Sequence, residues 1–142
     1  MSSFLDSVRE FNKIYELENI PLDEMITRQV HFLKIIKEEI EEGEELHGKL
    51  VQEKIDPLDS LVEMADWLGD IIVYCTSEAL RYNIPIADVL KIIMDSNRSK
   101  LGEDGRPIHN PETGKVMKGP HYWKPEGKIK ELLMNHHGNQ TS

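Results

Sequence analysis

Residues 38–45 read Glu-Glu-Ile-Glu-Glu-Gly-Glu-Glu, and residues 63–70 read Glu-Met-Ala-Asp-Trp-Leu-Gly-Asp. Each acidic stretch lies inside a segment whose apolar residues recur every three or four positions, which is the spacing of an amphipathic helix. The first segment runs from about residue 23 to 51 and the second from about 58 to 81, with a break at Asp56-Pro57. The sequence therefore predicts two long helices, each carrying a group of carboxylates.

Shorter helical patterns flank these two segments, at residues 3–17, 86–100 and 129–134. Residues 102–127 contain five glycines and four prolines, which indicates a loop or at most a short irregular hairpin. Alternating strand patterns are nearly absent. We therefore predict an all-α fold with a four-helix-bundle-like core and a Gly/Pro-rich late loop. The 142 residues fit a single domain, 1–142, with its core at about 23–125 and a disordered tail after about 136.

Composition narrows the class of protein. Hydrophobic residues make up 39% and charged residues 30%, as in soluble globular chains. The net charge of −9 argues against a nucleic-acid or anionic-membrane partner. No apolar run is long enough to span a bilayer, and residues 1–10 do not have the pattern of a signal peptide. With Cys75 as the single cysteine, no intrachain disulfide is possible, so we expect a cytoplasmic protein.

Helical geometry separates the carboxylates of the first stretch. At about 100° per residue, one apolar face forms that we expect to be buried. That face comprises Phe32, Leu33, Ile36, Ile40 and Leu50. Glu39 and Glu42 fall on its shoulder and Glu38 lies at its edge, where an unpaired carboxylate needs a partner. The glutamates at 41, 44 and 45 point away, as a solvated surface would.

The second stretch has a sharper pattern. Its helix is apolar around most of its circumference, which predicts a central position in a bundle or at a subunit interface. The exception is one acidic stripe within about 60°, formed by Asp59, Glu63, Asp66 and Asp70. No basic residue occurs between Lys54 and Arg81. Trp67 and Tyr74 flank the stripe, either as core residues or as walls of a base pocket.

Two facing groups of carboxylates predict a site for a hard divalent cation. Mg²⁺ prefers oxygen ligands, and Mn²⁺ is the natural substitute. The sequence has no EF-hand loop for Ca²⁺. Zinc is disfavoured because Cys75 lies on the apolar side and His136-His137 lies in the tail. Geometry alone supports a hard-cation site and goes no further.

The spacing of the acids adds a family resemblance. E-x-x-E at 39–42, followed by E-x-x-D at 63–66, resembles the signature of the MazG-like all-α nucleoside triphosphate pyrophosphohydrolases. That superfamily includes dimeric dUTPases and phosphoribosyl-ATP pyrophosphohydrolases. Residues 95–100, Asp-Ser-Asn-Arg-Ser-Lys, and 114–120, Gly-Lys-Val-Met-Lys-Gly-Pro, resemble its N-x-S-K and G-K-x-x-K-G-P stretches. The resemblance covers about residues 27–125.

The resemblance implies a metal site and a base. The implied metal ligands are Glu39, Glu42, Glu63 and Asp66. Glu38 matches a position that helps to hold a metal or activates water, so Glu38 and Glu39 are the candidate catalytic residues. Asp70 lies outside the signature and receives no role from the resemblance.

The resemblance also implies contacts to substrate. Asn97 and Lys100 match positions near the sugar and phosphates, and Lys115 and Lys118 match basic residues of the late loop. The implied activity is Mg²⁺-dependent hydrolysis of a nucleoside or deoxynucleoside triphosphate to the monophosphate and pyrophosphate, by a homodimer or homotetramer.

Other functions remain open at this point. The alternatives are a strict dUTPase, a phosphoribosyl-ATP pyrophosphohydrolase and, from a different class, a non-catalytic helical interaction module. The sequence does not rank the aromatic residues that stack on a base, namely Trp67, Tyr74, Tyr122 and Trp123.

Overall fold

A computed structural model describes residues 2–52 and 55–140, and helices dominate this part of the chain. The helices are α1 (Ser2–Ile14), α2 (Met25–Gln52), α3 (Pro57–Arg81), α4 (Ile86–Arg98) and α5 (Glu126–Gln140), with a 3-10 turn at Leu22–Glu24. Strands β1 (Ile108–His109) and β2 (Val116–Met117) form one small antiparallel hairpin. The predicted all-α class is confirmed, and so is the short hairpin within the late loop. In the described segments, no helix is long and apolar enough to cross a membrane.

The backbone divides into two compact units, residues 1–83 and 84–142. The first holds α1, α2 and α3, and the second holds α4, the hairpin and α5. The sequence predicts a single domain, so the boundary between the units falls inside the predicted core.

Local chemistry sets the ends of the helices. The Asp56 carboxylate accepts a hydrogen bond from the backbone N–H of Leu58 at 3.2 Å, and Pro57 opens α3. Helix α1 ends at Ile14, before the predicted end near residue 17. The reason is that Glu16 and Asn19 adopt left-handed backbone conformations, with φ of 54° and 58°. Helix α5 continues to Gln140, beyond the predicted helix end and into the predicted tail.

Helices α2 and α3 are antiparallel neighbours, and three contacts fix their register. Near the connecting turn, Lys49 Nζ lies 2.9 Å from Glu63 Oε1. In the middle, the Trp67 indole N–H donates to the backbone carbonyl of Glu39 at 2.9 Å. At the far end, Arg28 binds both carboxylate oxygens of Glu78 at 2.8–3.2 Å.

Helix α1 packs against α3 and supplies much of the buried core of the first unit. Leu5 and Val8 are buried, and Asn12 is only 1% exposed. The Asn12 amide donates to the Ser77 carbonyl at 3.1 Å, and the Ser77 hydroxyl donates to Asn12 Oδ1 at 2.6 Å. This reciprocal pair satisfies polar groups that would otherwise be costly to bury.

The buried face of α2 differs from the predicted one. Leu33 and Ile40, predicted to be buried, are 48% and 53% exposed. The buried positions are instead Glu39 and Leu46, at 6% and 9% exposure. Helix α3 packs on the side of α2 that carries Glu39. Leu33 and Ile40 lie away from that contact, so they stay exposed within the single chain. Glu39 therefore lies inside the helix contact and not on its shoulder.

Candidate active site

Glu39 is the centre of the candidate site. Its side chain is buried, and its Oε2 atom has no hydrogen-bond partner among the described residues. Burying a carboxylate oxygen without a partner is unfavourable, and such groups mark places where a ligand or a proton compensates.

Three further carboxylates surround Glu39. Burial raises the pKa of Glu39, and the negative charge of Glu42, which also lies within hydrogen-bonding reach, raises it further. The charges of Asp70 and Glu38 act in the same direction. We call Glu38, Glu39, Glu42 and Asp70 the acidic cluster. It joins three residues of α2 to one of α3 in a region of strongly negative potential.

Tyr74 reports the same negative potential one turn further along α3. Burial raises the pKa of its phenol, and the charges of the acidic cluster, first Glu39 and then Asp70, add to the effect. The ionised form of Tyr74 is therefore disfavoured, and its hydroxyl stays a hydrogen-bond donor beside the carboxylates.

The predicted ligands of α3 occupy different surroundings. Glu63 forms the ion pair with Lys49 and is half-exposed. Asp66 is exposed. The structure thus brings Glu39 and Glu42 next to Asp70, while Glu63 contacts a lysine of α2.

Asp70 belongs to the acidic cluster through its charge effect on Glu39, although the motif spacing did not assign it and its side chain is exposed like that of Asp66. A signal for it was present in the sequence, since Glu63 and Asp70 are seven residues apart and lie on the same side of a helix. Trp67 and Tyr74 share that side, and the contact of Trp67 with α2 shows that it faces the acidic glutamates.

The acidic cluster suits Mg²⁺ with few protein ligands. No three His, Cys, Asp or Glu side chains within residues 2–52 and 55–140 converge closely enough to hold an ion as they stand. Mg²⁺ usually keeps several waters and takes one or two carboxylates plus phosphate oxygens. The unpartnered Oε2 of Glu39 and the nearby carboxylate of Glu42 meet that requirement.

The predicted substrate residues all belong to the second unit. The Lys100 carbonyl accepts a hydrogen bond from the Gly119 N–H at 2.7 Å. A Cβ at Gly119 would lie 2.7 Å from that carbonyl oxygen and closer still to the carbonyl of Leu101. Only glycine fits there, and so the Lys118-Gly119-Pro120 stretch lies directly against the end of α4.

Ser96 of α4 and Ser99, the residue that caps its C-terminal end, hold the late loop further on. The Ser96 hydroxyl donates to the Trp123 carbonyl at 2.9 Å, and the Trp123 N–H donates to the Ser99 hydroxyl at 3.2 Å. Asn97, between them in sequence, is exposed. Ser96 and Ser99 therefore anchor the loop, whereas the exposed side chain of Asn97 is available to a ligand.

The two late-loop lysines differ in their contacts. The Lys118 ammonium lies 4.9 Å from the centre of the Tyr122 ring, and Lys128 covers the Trp123 ring at 3.9 Å. Lys115 lies beside β2, where its carbonyl accepts from the Asn110 N–H at 2.8 Å. The backbone of Lys118 therefore lies close to that of Lys100, whereas Lys115 belongs to the hairpin.

Comparison with known proteins supports the fold. No protein-family model matches the chain, and no curated protein sequence matches it. A crystal structure described as a "putative NTP pyrophosphohydrolase" from Exiguobacterium sp. 255-15 is similar, with a TM-score of 0.57 and 20% identity. The match covers 95% of this chain and 96% of the other. The chain therefore has the fold of that structure, which fits the resemblance of its motifs to the MazG-like superfamily.

Proposed function

We propose that this protein hydrolyses a nucleoside or deoxynucleoside triphosphate to the monophosphate and pyrophosphate in the cytoplasm, with Mg²⁺ bound by the acidic cluster. The observation that carries the proposal is Glu39, a buried carboxylate with an unpartnered oxygen among three other carboxylates. The name of the similar structure, a nucleotide pyrophosphohydrolase, supports the same chemistry.

We propose Glu39 and Glu42 as ligands, because their carboxylates lie within hydrogen-bonding reach of each other, and Asp70, whose charge also acts on Glu39, as a candidate third. When bound, Mg²⁺ supplies positive charge that neutralises phosphate oxygens and makes water more acidic. The cation would also relieve the repulsion between the carboxylates of α2 and α3. Glu63 stays a candidate ligand, although its Oε1 atom is paired with Lys49 Nζ at 2.9 Å.

A carboxylate of the cluster serves as the general base. Burial and like charges raise the pKa of Glu39 in the metal-free protein, so Glu39 would act as the base only when it does not itself bind the cation. Glu38 is exposed on the adjacent position and is the second candidate. Either residue would orient the water that attacks a phosphorus atom of the α–β linkage, which breaks the bond and releases the monophosphate and pyrophosphate.

The residues that would neutralise the charge of the phosphates are proposed from the resemblance of the motifs. Lys100, Lys115 and Lys118 fit this role by chemistry and by resemblance, with Asn97 directed to the sugar. Substituting each lysine by methionine should lower kcat/KM for the triphosphate, because charge that develops on the leaving pyrophosphate loses its stabilisation. Lys130→Met, on exposed α5, is the matched control.

The test of the function is pyrophosphate release from a panel of dNTPs, NTPs and phosphoribosyl-ATP with Mg²⁺ or Mn²⁺. Release from several dNTPs or NTPs supports the proposal. Release from dUTP alone or from phosphoribosyl-ATP alone identifies a strict enzyme of that kind. No release from any substrate with either ion would refute catalysis and leave the non-catalytic helical module.

Site variants then separate the candidate ligands. Glu39→Gln and Asp70→Asn should abolish turnover, whereas Glu41→Gln, on the exposed side of α2, should leave it unchanged. Glu63→Gln and Asp66→Asn test the ligand set that the motifs imply, because the acidic cluster contains neither residue. Wild-type turnover by Asp70→Asn would remove Asp70 from the site.

We further propose that the protein is a homo-oligomer formed through α3. One stripe of α3, on the side away from α2, carries apolar side chains that are 47–67% exposed. They are Leu58, Leu61, Val62, Leu68 and Ile72. Monomeric proteins rarely leave a large contiguous apolar surface exposed. The same stripe on a second copy of the chain would cover this one. Light scattering after size exclusion should give a dimer or tetramer, and Leu61→Lys should shift it to a monomer.

A further inference from the structure

Trp67 packs against α2 beside the acidic cluster, and Gly43 leaves the space for its ring. A Cβ at Gly43 would lie 2.9 Å from Trp67 Cε2 and closer still to Cζ2. Real Cβ atoms do not approach a ring that closely, so any other residue at this position would displace the indole. The indole cannot swing away freely, because its N–H is bonded to the Glu39 carbonyl at 2.9 Å.

The position of this contact relates it to the carboxylates. Gly43 lies one helical turn after Glu39 on α2, and Trp67 lies about one turn before Asp70 on α3. The indole therefore fixes the backbone of Glu39 directly and sets the separation of the two helices where Asp70 faces Glu39 and Glu42. A shift of either helix here changes the distance between the carboxylates of the cluster.

We propose that Trp67, seated on Gly43, is a positioning residue that sets the spacing of the acidic cluster for its cation. The inference rests on the proposed function and deepens it. It also answers the alternative left open for Trp67, because a ring held by α2 in this way is part of the helix contact and not the wall of a base pocket. Its role is indirect, and the carboxylates bind the ion.

Gly43→Ala gives a sensitive test, because helix propensity alone predicts that it strengthens α2, whereas the contact with Trp67 predicts a loss. Alanine is the better helix former, so a Gly→Ala change with free space strengthens a helix. Gly48→Ala, also in α2, is the matched control, since a Cβ there meets nothing within 4 Å. A loss specific to Gly43→Ala therefore comes from the Trp67 contact.

The measurement is the dissociation constant for Mg²⁺ alone, from titration calorimetry of the full chain, with circular dichroism as the check on folding. Gly43→Ala should weaken Mg²⁺ binding about 10-fold or more, the usual effect of losing a residue that orients metal ligands. Gly48→Ala should bind like the wild type. Trp67→Phe, which removes the N–H bond to the Glu39 carbonyl, should also weaken Mg²⁺ binding, and the two losses should not add in the double variant because both act through the same contact.

The outcomes separate this inference from the proposed function. Wild-type Mg²⁺ affinity in Gly43→Ala or in Trp67→Phe, or losses that add fully in the double variant, overturns the positioning role while pyrophosphate release by the wild type stands. If the wild-type protein binds no Mg²⁺ and releases no pyrophosphate, the proposed function and the positioning role both fail. Losses that do not add show that Gly43→Ala acts through its contact with Trp67 and not through general misfolding.

Discussion

Replacing Glu39 by glutamine should stabilise the protein when no divalent cation is present. The substitution keeps the shape of the side chain and removes one negative charge from the acidic cluster. A buried polar group without a partner costs about 1–3 kcal/mol, and Glu39 is only 6% exposed with an unpartnered oxygen. The glutamine side chain is neutral and its NH₂ group can donate to the neighbouring Glu42 carboxylate, so we expect Glu39→Gln to gain about 1–2 kcal/mol. For a chain of this length that corresponds to roughly 3–6 °C in the melting temperature.

Divalent cations should reverse this order. A ligand that binds only the folded state at 100 times its dissociation constant adds about 2.7 kcal/mol of stability. The wild type should gain that amount from Mg²⁺, and Glu39→Gln should gain little because it has lost a ligand. The wild type is then the more stable protein in Mg²⁺ and the less stable one in EDTA.

The dependence on pH gives the same reasoning a second check. Because the folded state raises the pKa of Glu39 above its ordinary 4.5, it binds this proton more tightly than the unfolded state does. The resulting stabilisation is complete below about 4.5 and is lost as the pH rises through the raised pKa. In EDTA, the advantage of Glu39→Gln should therefore be largest at neutral pH and shrink on acidification.

Scanning calorimetry in EDTA and in Mg²⁺, from pH 4 to 8, measures all of these effects. Glu41→Gln, on the exposed side of the same helix, should show neither the gain nor the reversal. Two results would refute the reasoning. One is a Glu39→Gln variant that is less stable than the wild type in EDTA at neutral pH, and the other is equal stabilisation of both proteins by Mg²⁺.

Three further substitutions test other parts of the structure. Glu78→Gln leaves the buried guanidinium of Arg28 without its carboxylate and should cost about 3 kcal/mol in urea unfolding. Gly119→Ala should displace the late loop and lower pyrophosphate release about 10-fold or more, with unchanged helix content, whereas Gly127→Ala has open space and should be neutral. Asp56→Ala removes the N-cap of α3 and should cost about 1 kcal/mol of unfolding free energy; a loss below the error of the measurement would contradict the capping role.

Helix bounds were predictable where sequence periodicity and end signals agree. The segments predicted at 23–51 and 58–81 correspond to Met25–Gln52 and Pro57–Arg81. Their separation follows from Asp56-Pro57, which caps one helix and cannot continue the other. The end of α1 was missed because left-handed backbone at Glu16 leaves no trace in the apolar pattern.

The site was predictable only in part, because the angle at which a neighbouring helix approaches is a tertiary property. Glu39 and Glu42 were candidates from their place on α2, but the contact face is rotated toward Glu39 and Leu46 and away from Leu33 and Ile40. Asp70 and Asp66 are the same residue type on the same helix, so the sequence alone does not distinguish them. The charge of Asp70 acts on Glu39, and this proximity depends on how α2 and α3 pack.

The α2–α3 pair alternates between attraction and repulsion along its length. Ion pairs join the helices at both ends, Arg28 with Glu78 and Lys49 with Glu63, and between them lies the acidic cluster, which drives the helices apart. Contacts at the ends and the indole in the middle oppose that repulsion without neutralising it. An unfavourable site held between favourable contacts can persist in a marginally stable protein. Because the repulsion is local, a cation that neutralises it acts on the carboxylates and leaves the contacts at the two ends in place.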